Sequence, residues 1–231
     1  MGELEFLRAS QLCDLNHPFV KATAAEITAK AETPKDAAIK IFYSVRDKIP
    51  LAIVHPWKTA SETSKMGQGS CLTKATLQVA LLRSVEIPAR FRVMEFRGDD
   101  PEEWQGIVPS FAVSRMPERW PHYFVEVYLE GRWIMADATF DKALLPGIED
   151  WDGEKDVCSI EKRAILEDTG ATASIEEEAR KLDEKYETLV FWFLDSYKLF
   201  WILNLYQRLQ RLKNKLGKWE RSMLRNTSKN K

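Results

Sequence analysis

Cysteine is scarce in this chain of 231 residues, which has only three: Cys13, Cys71 and Cys158. An odd number of widely spaced cysteines makes a poor disulfide framework, and no Cys-x-x-Cys spacing is present for a metal. We therefore expect free thiols, a reducing cytoplasmic setting, and neither a metal site nor a cofactor.

Long hydrophobic runs and an excess of one charge are also missing. The formal net charge is -1, from 34 Lys/Arg and 35 Asp/Glu, so the chain as a whole has no bias toward nucleic acid. Asp195 and Lys198 interrupt the best apolar stretch before it reaches the ~20 residues of a membrane-spanning helix. The first residues contain no apolar run, which predicts no signal peptide.

The N-terminal part of the chain has helical periodicity. Pro18 starts one helix, and Pro34 after Thr33 starts another, because proline suits the first turn and threonine suits the N-cap. Apolar residues recur every four positions in the second helix, at Ala37, Ile41, Val45 and Ile49. Residues 50–66 lack a sustained period, and we expect a loop or a short extended segment there.

A second group of elements begins at Cys71. Residues 71–85 predict a helix that opens directly after Gly-Gln-Gly-Ser, and residues 89–96 alternate polar and apolar side chains as a strand does. Residues 97–120 and 141–174 are rich in loop-forming residues. We expect both to be mostly irregular.

Two apolar stretches around Glu130 and Gly131 predict a β-hairpin with a two-residue turn. If Leu129 faces Arg132, the register makes His122 and Asp137 diagonal neighbours on one face of the hairpin. A carboxylate in that position accepts the imidazole N–H and stabilises the charged ring.

A cysteine at a helix start, together with a coupled His/Asp pair, is the pattern of Cys-His-Asp nucleophilic catalysis. The helix dipole and a nearby imidazolium would both favour the thiolate of Cys71. Each residue also has a structural interpretation: a buried thiol for Cys71, a satisfied core histidine for His122 and a turn former for Asp137. Sequence spacing alone does not bring the helix start to the hairpin.

The segments GQGSCLTKATLQVALLRSVEIPARFRV and HYFVEVYLEGRWIMADATFD resemble the transglutaminase-like superfamily. The family pattern is Gly-x-Cys opening a helix, then Leu-Leu-Arg-x-x-x-Ile-Pro-Ala-Arg, then His-x-x-x-Glu-Val with Trp and Asp in the return strand. With the helical segment that precedes them, the match spans residues 15–145. It implies an α+β fold with a papain-like core, in which the nucleophile-bearing helix packs on an antiparallel sheet, flanked by N-terminal helices and a long C-terminal helix.

The resemblance also implies roles for individual residues. Cys71 would attack an amide carbonyl, His122 would act as base and then acid, and Asp137 would orient His122. A thioester would form and pass to water or an amine. The Cys71 backbone N–H is one expected oxyanion donor, and Gln68 or the Trp57 indole is a candidate for the second.

The sequence departs from the family at Pro50-Leu51, where members often have a tyrosine. It also shows none of the calcium-site features or β-sandwich domains of animal transglutaminases. We therefore expect hydrolysis of peptide or isopeptide amides. Two alternatives stay open, a protein-glutamine acyltransferase and a non-catalytic module that recruits a partner through the C-terminal helix. The segments expected to form the pocket, 50–66 and 97–120, match no motif, so the sequence names no particular substrate.

The C-terminal part differs in composition from the rest. We divide the chain into a catalytic domain, 1–170, and a helical extension, 171–231, with a predicted helix from Ser174 to Leu216. Residues 189–219 carry an aromatic and apolar stripe, and residues 207–231 contain nine Lys/Arg and one Glu. The stripe suits packing on the domain, self-association as a coiled coil, or binding to a membrane surface, and packing is the most economical of the three. Nucleic acid is not expected, because a basic tail alone is a nonspecific signal.

Overall fold

The computed structural model describes residues 4–113, 116–192 and 196–229, and their side chains except at 185–200 and 223–229. Within these ranges the chain forms seven α-helices: α1 (Pro18–Thr28), α2 (Pro34–Lys48), α3 (Ala60–Met66), α4 (Cys71–Ser84), α5 (Ser110–Val113), α6 (Glu176–Trp192) and α7 (Ser196–Lys229). Four strands form one antiparallel sheet in the order β3-β2-β1-β4: β1 (Ala89–Arg97), β2 (Arg119–Leu129), β3 (Arg132–Met135) and β4 (Ile165–Thr172). The predicted α+β class is confirmed.

The predicted starts of the first two helices are confirmed. Pro18 is the first residue of α1. The Thr33 side chain accepts the Asp36 N–H at 3.1 Å as the N-cap of α2. The predicted apolar face of α2 is buried at Ala37, Ile41 and Val45.

The prediction of a loop over residues 50–66 is wrong for the second half of that segment, where α3 forms. The Thr59 side chain accepts the Glu62 N–H, and the Glu62 carboxylate accepts the Thr59 N–H at 3.0 Å, which is a capping box. Gly67 ends the helix with a φ of 63°, a left-handed conformation that favours glycine. The Thr-x-x-Glu pattern was therefore a local signal for this helix.

The hairpin register is confirmed along the paired part of β2 and β3, from Leu129 opposite Arg132 to Glu126 opposite Met135. The turn residues have φ values of 52° at Glu130 and 86° at Gly131, as a two-residue type I′ turn requires. The ladder ends at Met135. Beyond it the chain forms a parallel bridge from Ala136 to Val157, which positions the segment carrying Asp137.

The irregular region expected over residues 141–174 includes one strand, β4, which the sequence analysis missed. This strand pairs with β1 at the edge of the sheet and is largely exposed. An exposed edge strand needs no alternation of apolar side chains, so its sequence has little strand signal.

Helix α4 passes through the centre of the domain. It packs against β1, β2 and the three N-terminal helices. Every side chain from Leu72 to Arg83 is buried, whereas Cys71 at the start of the helix is only half-buried. The thiol thus lies where a helix emerges from the core.

The C-terminal helix predicted from Ser174 to Leu216 is described as α6 and α7, with residues 193–195 outside the described ranges. Helix α7 continues past Leu216 to Lys229, so the predicted end is wrong. The main apolar core includes Ala179 and Leu182 in the first half of α6, and Ile175, which directly precedes this helix. The division at residue 170 stays a prediction. In the described ranges, no helix has both the length and the apolarity that crossing a bilayer requires.

The apolar stripe of α7 does not pack on the domain over its described part. Leu205, Leu209, Leu212 and Leu216 are exposed, so the packing interpretation is wrong for them. A different face makes the contact, with Leu203 buried in a second apolar cluster. The aromatic residues of the stripe at 191, 192, 197 and 200 lie outside the described side chains.

Candidate active site

The local sequence holds Cys71 at the first position of α4. Ser70 is the N-cap: its hydroxyl accepts the Thr73 N–H, and the Thr73 hydroxyl accepts the Ser70 N–H at 2.9 Å. Gly69 is needed for close approach, because a Cβ there would lie 2.6 Å from Thr73 Oγ1. In the described part of the chain no hydrogen bond engages the Cys71 N–H, which is therefore free to donate to a ligand.

Two buried polar side chains on the same face of α4 fix the segment that carries Asp137. Lys74 Nζ donates to the Thr139 carbonyl at 2.7 Å, and Gln78 Nε2 donates to the Ala136 carbonyl at 3.0 Å. These carbonyls lie on either side of Asp137. The spacing of three and seven residues from Cys71 places all three side chains on one face of the helix.

His122 and Asp137 are in direct contact. His122 Nε2 lies 2.7 Å from Asp137 Oδ2, and both side chains are almost fully buried. Because the carboxylate is ionised and can only accept, Nε2 carries the proton and donates it. The other ring nitrogen, Nδ1, does not face the carboxylate.

Asp137 is itself held by three further donors. The Thr139 N–H donates to Oδ1 at 3.0 Å, and the Ser159 N–H donates to Oδ2 at 2.9 Å. The Ser159 hydroxyl also donates to Oδ2 and lies 3.3 Å from His122 Nε2. Burial alone would raise the Asp137 pKa, but His122, Ser159 and Thr139 outweigh it and lower the pKa below its usual value.

Aromatic rings restrict the orientation of the imidazole. His122 stacks on Phe124, with ring centroids 5.6 Å apart, and meets Phe96 edge-on at 6.3 Å. Phe124 follows His122 by two residues in β2, and side chains two apart lie on the same face of a strand, so the stacking follows from the strand geometry.

The surroundings of His122 favour its charged form. Burial opposes protonation, but the charge and hydrogen bond of Asp137 prevail and raise the His122 pKa well above 6.5. The neighbouring Cys71 side chain contributes further to the rise of the His122 pKa. The structure thus places His122 in direct contact with Asp137, with Cys71 near enough to influence the ring, and the catalytic roles of the three residues stay a prediction. An imidazolium beside a thiol can stabilise a thiolate and then supply a proton.

The pH range over which this pair stabilises the fold follows from the two shifts. The raised pKa of His122 gives a stabilisation that is complete below pH 6.5 and is lost as the pH rises through the raised value. The lowered pKa of Asp137 gives a stabilisation of the fold that is complete above pH 3.8 and is lost as the pH falls through the lowered pKa. The contribution of the pair is thus complete between pH 3.8 and 6.5.

We predict that His122 remains protonated through neutral pH, and that Asp137→Asn lowers its pKa, because the substitution removes the charge that opposes the burial cost. The measurement is an NMR titration of the imidazole resonances, for which the protein has only three histidines. His17 and His55 serve as internal references. An unchanged His122 titration in Asp137→Asn would show that the carboxylate does not control the ring.

The two candidates for a second oxyanion donor differ in their surroundings. The Trp57 indole N–H donates to Asp183 on α6 at 3.0 Å and is engaged there. Gln68 is half-buried between α3 and the Ser70 cap, three residues before Cys71. Gln68 is thus the closer of the two to Cys71 in the sequence.

Several functional neighbours were missed by the sequence analysis. Ser159 lies 22 residues after Asp137 and reaches it through the bridge at Val157, so no local pattern marks it. Lys74 and Gln78 did have a signal, since polar residues sit three and seven positions after Cys71 on one helix face. An otherwise apolar helix does not place polar side chains in the core without partners.

The other two cysteines are also free. Burial is the main cause that raises the pKa of Cys13, to about 11, and Cys13 is fully buried. Burial likewise raises the pKa of Cys158, with a further contribution from Asp137. Among the described residues, no group of three His, Cys, Asp or Glu side chains forms a metal site.

A cysteine at the start of a central helix that packs on an antiparallel sheet defines a papain-like α+β fold. The family model of the transglutaminase-like superfamily matches residues 21–138, about half of the chain. The chain belongs to this superfamily. The predicted resemblance and the predicted core are both confirmed.

Two solved structures are similar to this chain. The first is a cysteine protease candidate from Cytophaga hutchinsonii, with a TM-score of 0.54 and 18% sequence identity; the match covers 76% of this chain and 48% of that chain. The second is a protease candidate from Parabacteroides distasonis ATCC 8503, with a TM-score of 0.35 and 14% identity, covering 54% of this chain and 25% of that one. The chain spans about half the length of the first structure. No curated protein matches the chain.

Proposed function

We propose that the protein is a transglutaminase-like thiol enzyme that hydrolyses peptide or isopeptide amide bonds. The observation that carries the proposal is the contact of His122 with the Asp137 carboxylate at 2.7 Å, together with the influence of the nearby Cys71 side chain on the ring. Catalysis needs nucleophile, base and orienting group within hydrogen-bonding reach of one another.

In the first half of the proposed reaction, the Cys71 sulfur attacks the amide carbonyl carbon and forms a tetrahedral intermediate. The imidazolium of His122 then gives a proton to the leaving amine as the C–N bond breaks. The product is a thioester on Cys71 and a free amine. Asp137 keeps the ring oriented and its positive charge stabilised during this step.

In the second half, His122 takes a proton from water, which attacks the thioester carbonyl. The C–S bond breaks, the carboxylic acid leaves, and the proton on His122 restores the starting ion pair. The Cys71 N–H donates to the oxyanion in both halves, and Gln68 is the proposed second donor. The indole of Trp57 would have to leave Asp183 to serve instead.

The test is a product analysis with mass spectrometry, because hydrolysis and acyl transfer share the same thioester. The full chain is incubated with a proteome-derived peptide library and with a synthetic peptide pair joined by a Gln–Lys isopeptide bond. A primary amine is present in half of the samples. Cys71→Ala is the matched control.

We expect new peptide termini or separated isopeptide partners with the wild-type protein, and neither with Cys71→Ala. Incorporation of the amine into glutamine side chains would assign the protein as an acyltransferase. If the wild-type and Cys71→Ala samples are identical, the proposed enzyme is rejected in favour of a non-catalytic module on the same fold.

A further inference from the structure

Helix α7 contacts the domain through a polar face, here called the docking face. The Asn204 side chain bonds both the N–H and the C=O of Ile53, at 2.8 and 3.1 Å. Two turns later, Arg211 donates to the buried Asp141 carboxylate. The buried or half-buried side chains of the docking face are Leu203, Asn204, Gln207, Arg211 and Asn214.

The opposite side of α7 is apolar and exposed, and we call it the outer face. Its residues are Trp201, Ile202, Leu205, Leu209, Leu212, Leu216 and Trp219. Between 38% and 66% of each residue is accessible to solvent. The spacings of three and four residues align them along about 27 Å of the helix. An aligned apolar surface of this length marks an interaction site rather than scattered exposed leucines.

Cations border the outer face on both sides. With about 3.6 residues per turn, Arg208 and Lys215 lie along one edge and Lys213 lies along the other. All three are exposed. Glu220 is the single acidic residue among residues 207–231, which contain nine Lys/Arg. The surface therefore fits a partner that is apolar at its centre and negatively charged around it.

A second copy of α7 fits this surface less well. Ile202, Leu209 and Leu216 have the seven-residue spacing of a coiled-coil seam. However, the residues beside that seam include Arg208 and Lys213, which face each other across a parallel pair of helices. Self-association would place like charges together, whereas acidic lipid headgroups would neutralise them.

We propose that α7 lies on the surface of anionic lipid bilayers, with its outer face inserted at the boundary between headgroups and acyl chains. A helix with a broad apolar face and bordering lysines and arginines binds in this way. Trp201 and Trp219 are at the two ends of the outer face, and indole rings favour the membrane interface. Because the docking face points the other way, binding requires no release of Arg211 from Asp141.

The experiment is co-sedimentation of the full chain with vesicles of phosphatidylcholine alone and of phosphatidylcholine with phosphatidylserine. We expect binding to the anionic vesicles, at least tenfold weaker binding to the neutral ones, and weakening by added salt. Leu209→Gln with Leu212→Gln should weaken binding to anionic vesicles at least tenfold. Leu166→Gln, at an exposed leucine of β4, is the matched control and should leave binding unchanged.

Three outcomes would overturn the proposal. The protein fails to bind anionic vesicles, it binds both vesicle types equally, or its binding is unchanged by the double substitution Leu209→Gln with Leu212→Gln. Light scattering tests whether a second copy of the chain covers the outer face instead. That alternative is assigned if the wild-type protein does not bind vesicles but forms a dimer, and if Leu209→Gln with Leu212→Gln abolishes the dimer. Cys71→Ala should bind vesicles normally, so this result is independent of the proposed enzymatic activity.

Discussion

Cys71→Ala is expected to lower the rate of amide hydrolysis by about 10⁴-fold or more, because it removes the sulfur that forms the proposed thioester. Since Cys71 is only half-buried at the start of α4, its loss should change the free energy of unfolding by no more than about 1 kcal/mol. The measurement is steady-state hydrolysis of a substrate from the product analysis, with urea unfolding to check the fold.

Alkylation by iodoacetamide at neutral pH gives a second readout that needs no substrate. Most of the fast labelling should disappear in Cys71→Ala and persist in Cys158→Ala, because burial raises the pKa of Cys158 and that of Cys13. Labelling that is equally fast in the wild-type protein and in Cys71→Ala would contradict an activated nucleophile at this position.

The hairpin could be predicted in detail because its register depends on local features. A two-residue turn at Glu130-Gly131 fixes which residues face each other, and side-chain alternation then fixes the faces. The sequence could not show that the start of α4 meets this hairpin. That contact depends on how α4 packs on β2, and on the hydrogen bonds from Lys74 and Gln78 to the segment around Asp137.

The missed elements divide into two kinds. Helix α3 has a local signal in its sequence, because Thr59 and Glu62 form its capping box. Strand β4 and Ser159 had no such signal. Both are positioned by pairing with distant parts of the chain, at β1 and at Ala136, and pairing of that kind is a tertiary property.

The packing of α7 was mispredicted for a related reason. An apolar stripe normally faces the core, but here Asn204 and Arg211 make the contact on the opposite side. The domain offers α7 unpaired backbone groups of Ile53 and the buried carboxylate of Asp141, which need polar partners. The choice of face is thus determined by groups distant in the sequence.

Arg211→Ala is expected to destabilise the fold by about 3 kcal/mol, because it leaves the Asp141 carboxylate buried without its main partner. Arg211 donates to both oxygens of Asp141 and to the Leu51 carbonyl at 2.8 Å. Its side chain is 15% exposed and that of Asp141 is 3% exposed. The measurement is urea unfolding, and Lys213→Ala, at an exposed cation of the same helix, should have an effect below about 0.5 kcal/mol.

The loss of unfolding free energy caused by Arg211→Ala should also depend on pH, because Lys74 is a second cation near Asp141. Burial, with a contribution from Arg211, lowers the pKa of Lys74 to about 7, so at pH 8 Lys74 is mostly neutral and Asp141 relies on Arg211. At pH 6 Lys74 is mostly protonated, and removing Arg211 also relieves repulsion between the two cations. We therefore expect a smaller loss from Arg211→Ala at pH 6 than at pH 8. The opposite order, or a loss equal to that of Lys213→Ala, would show that the ion pair does not hold α7 to the domain.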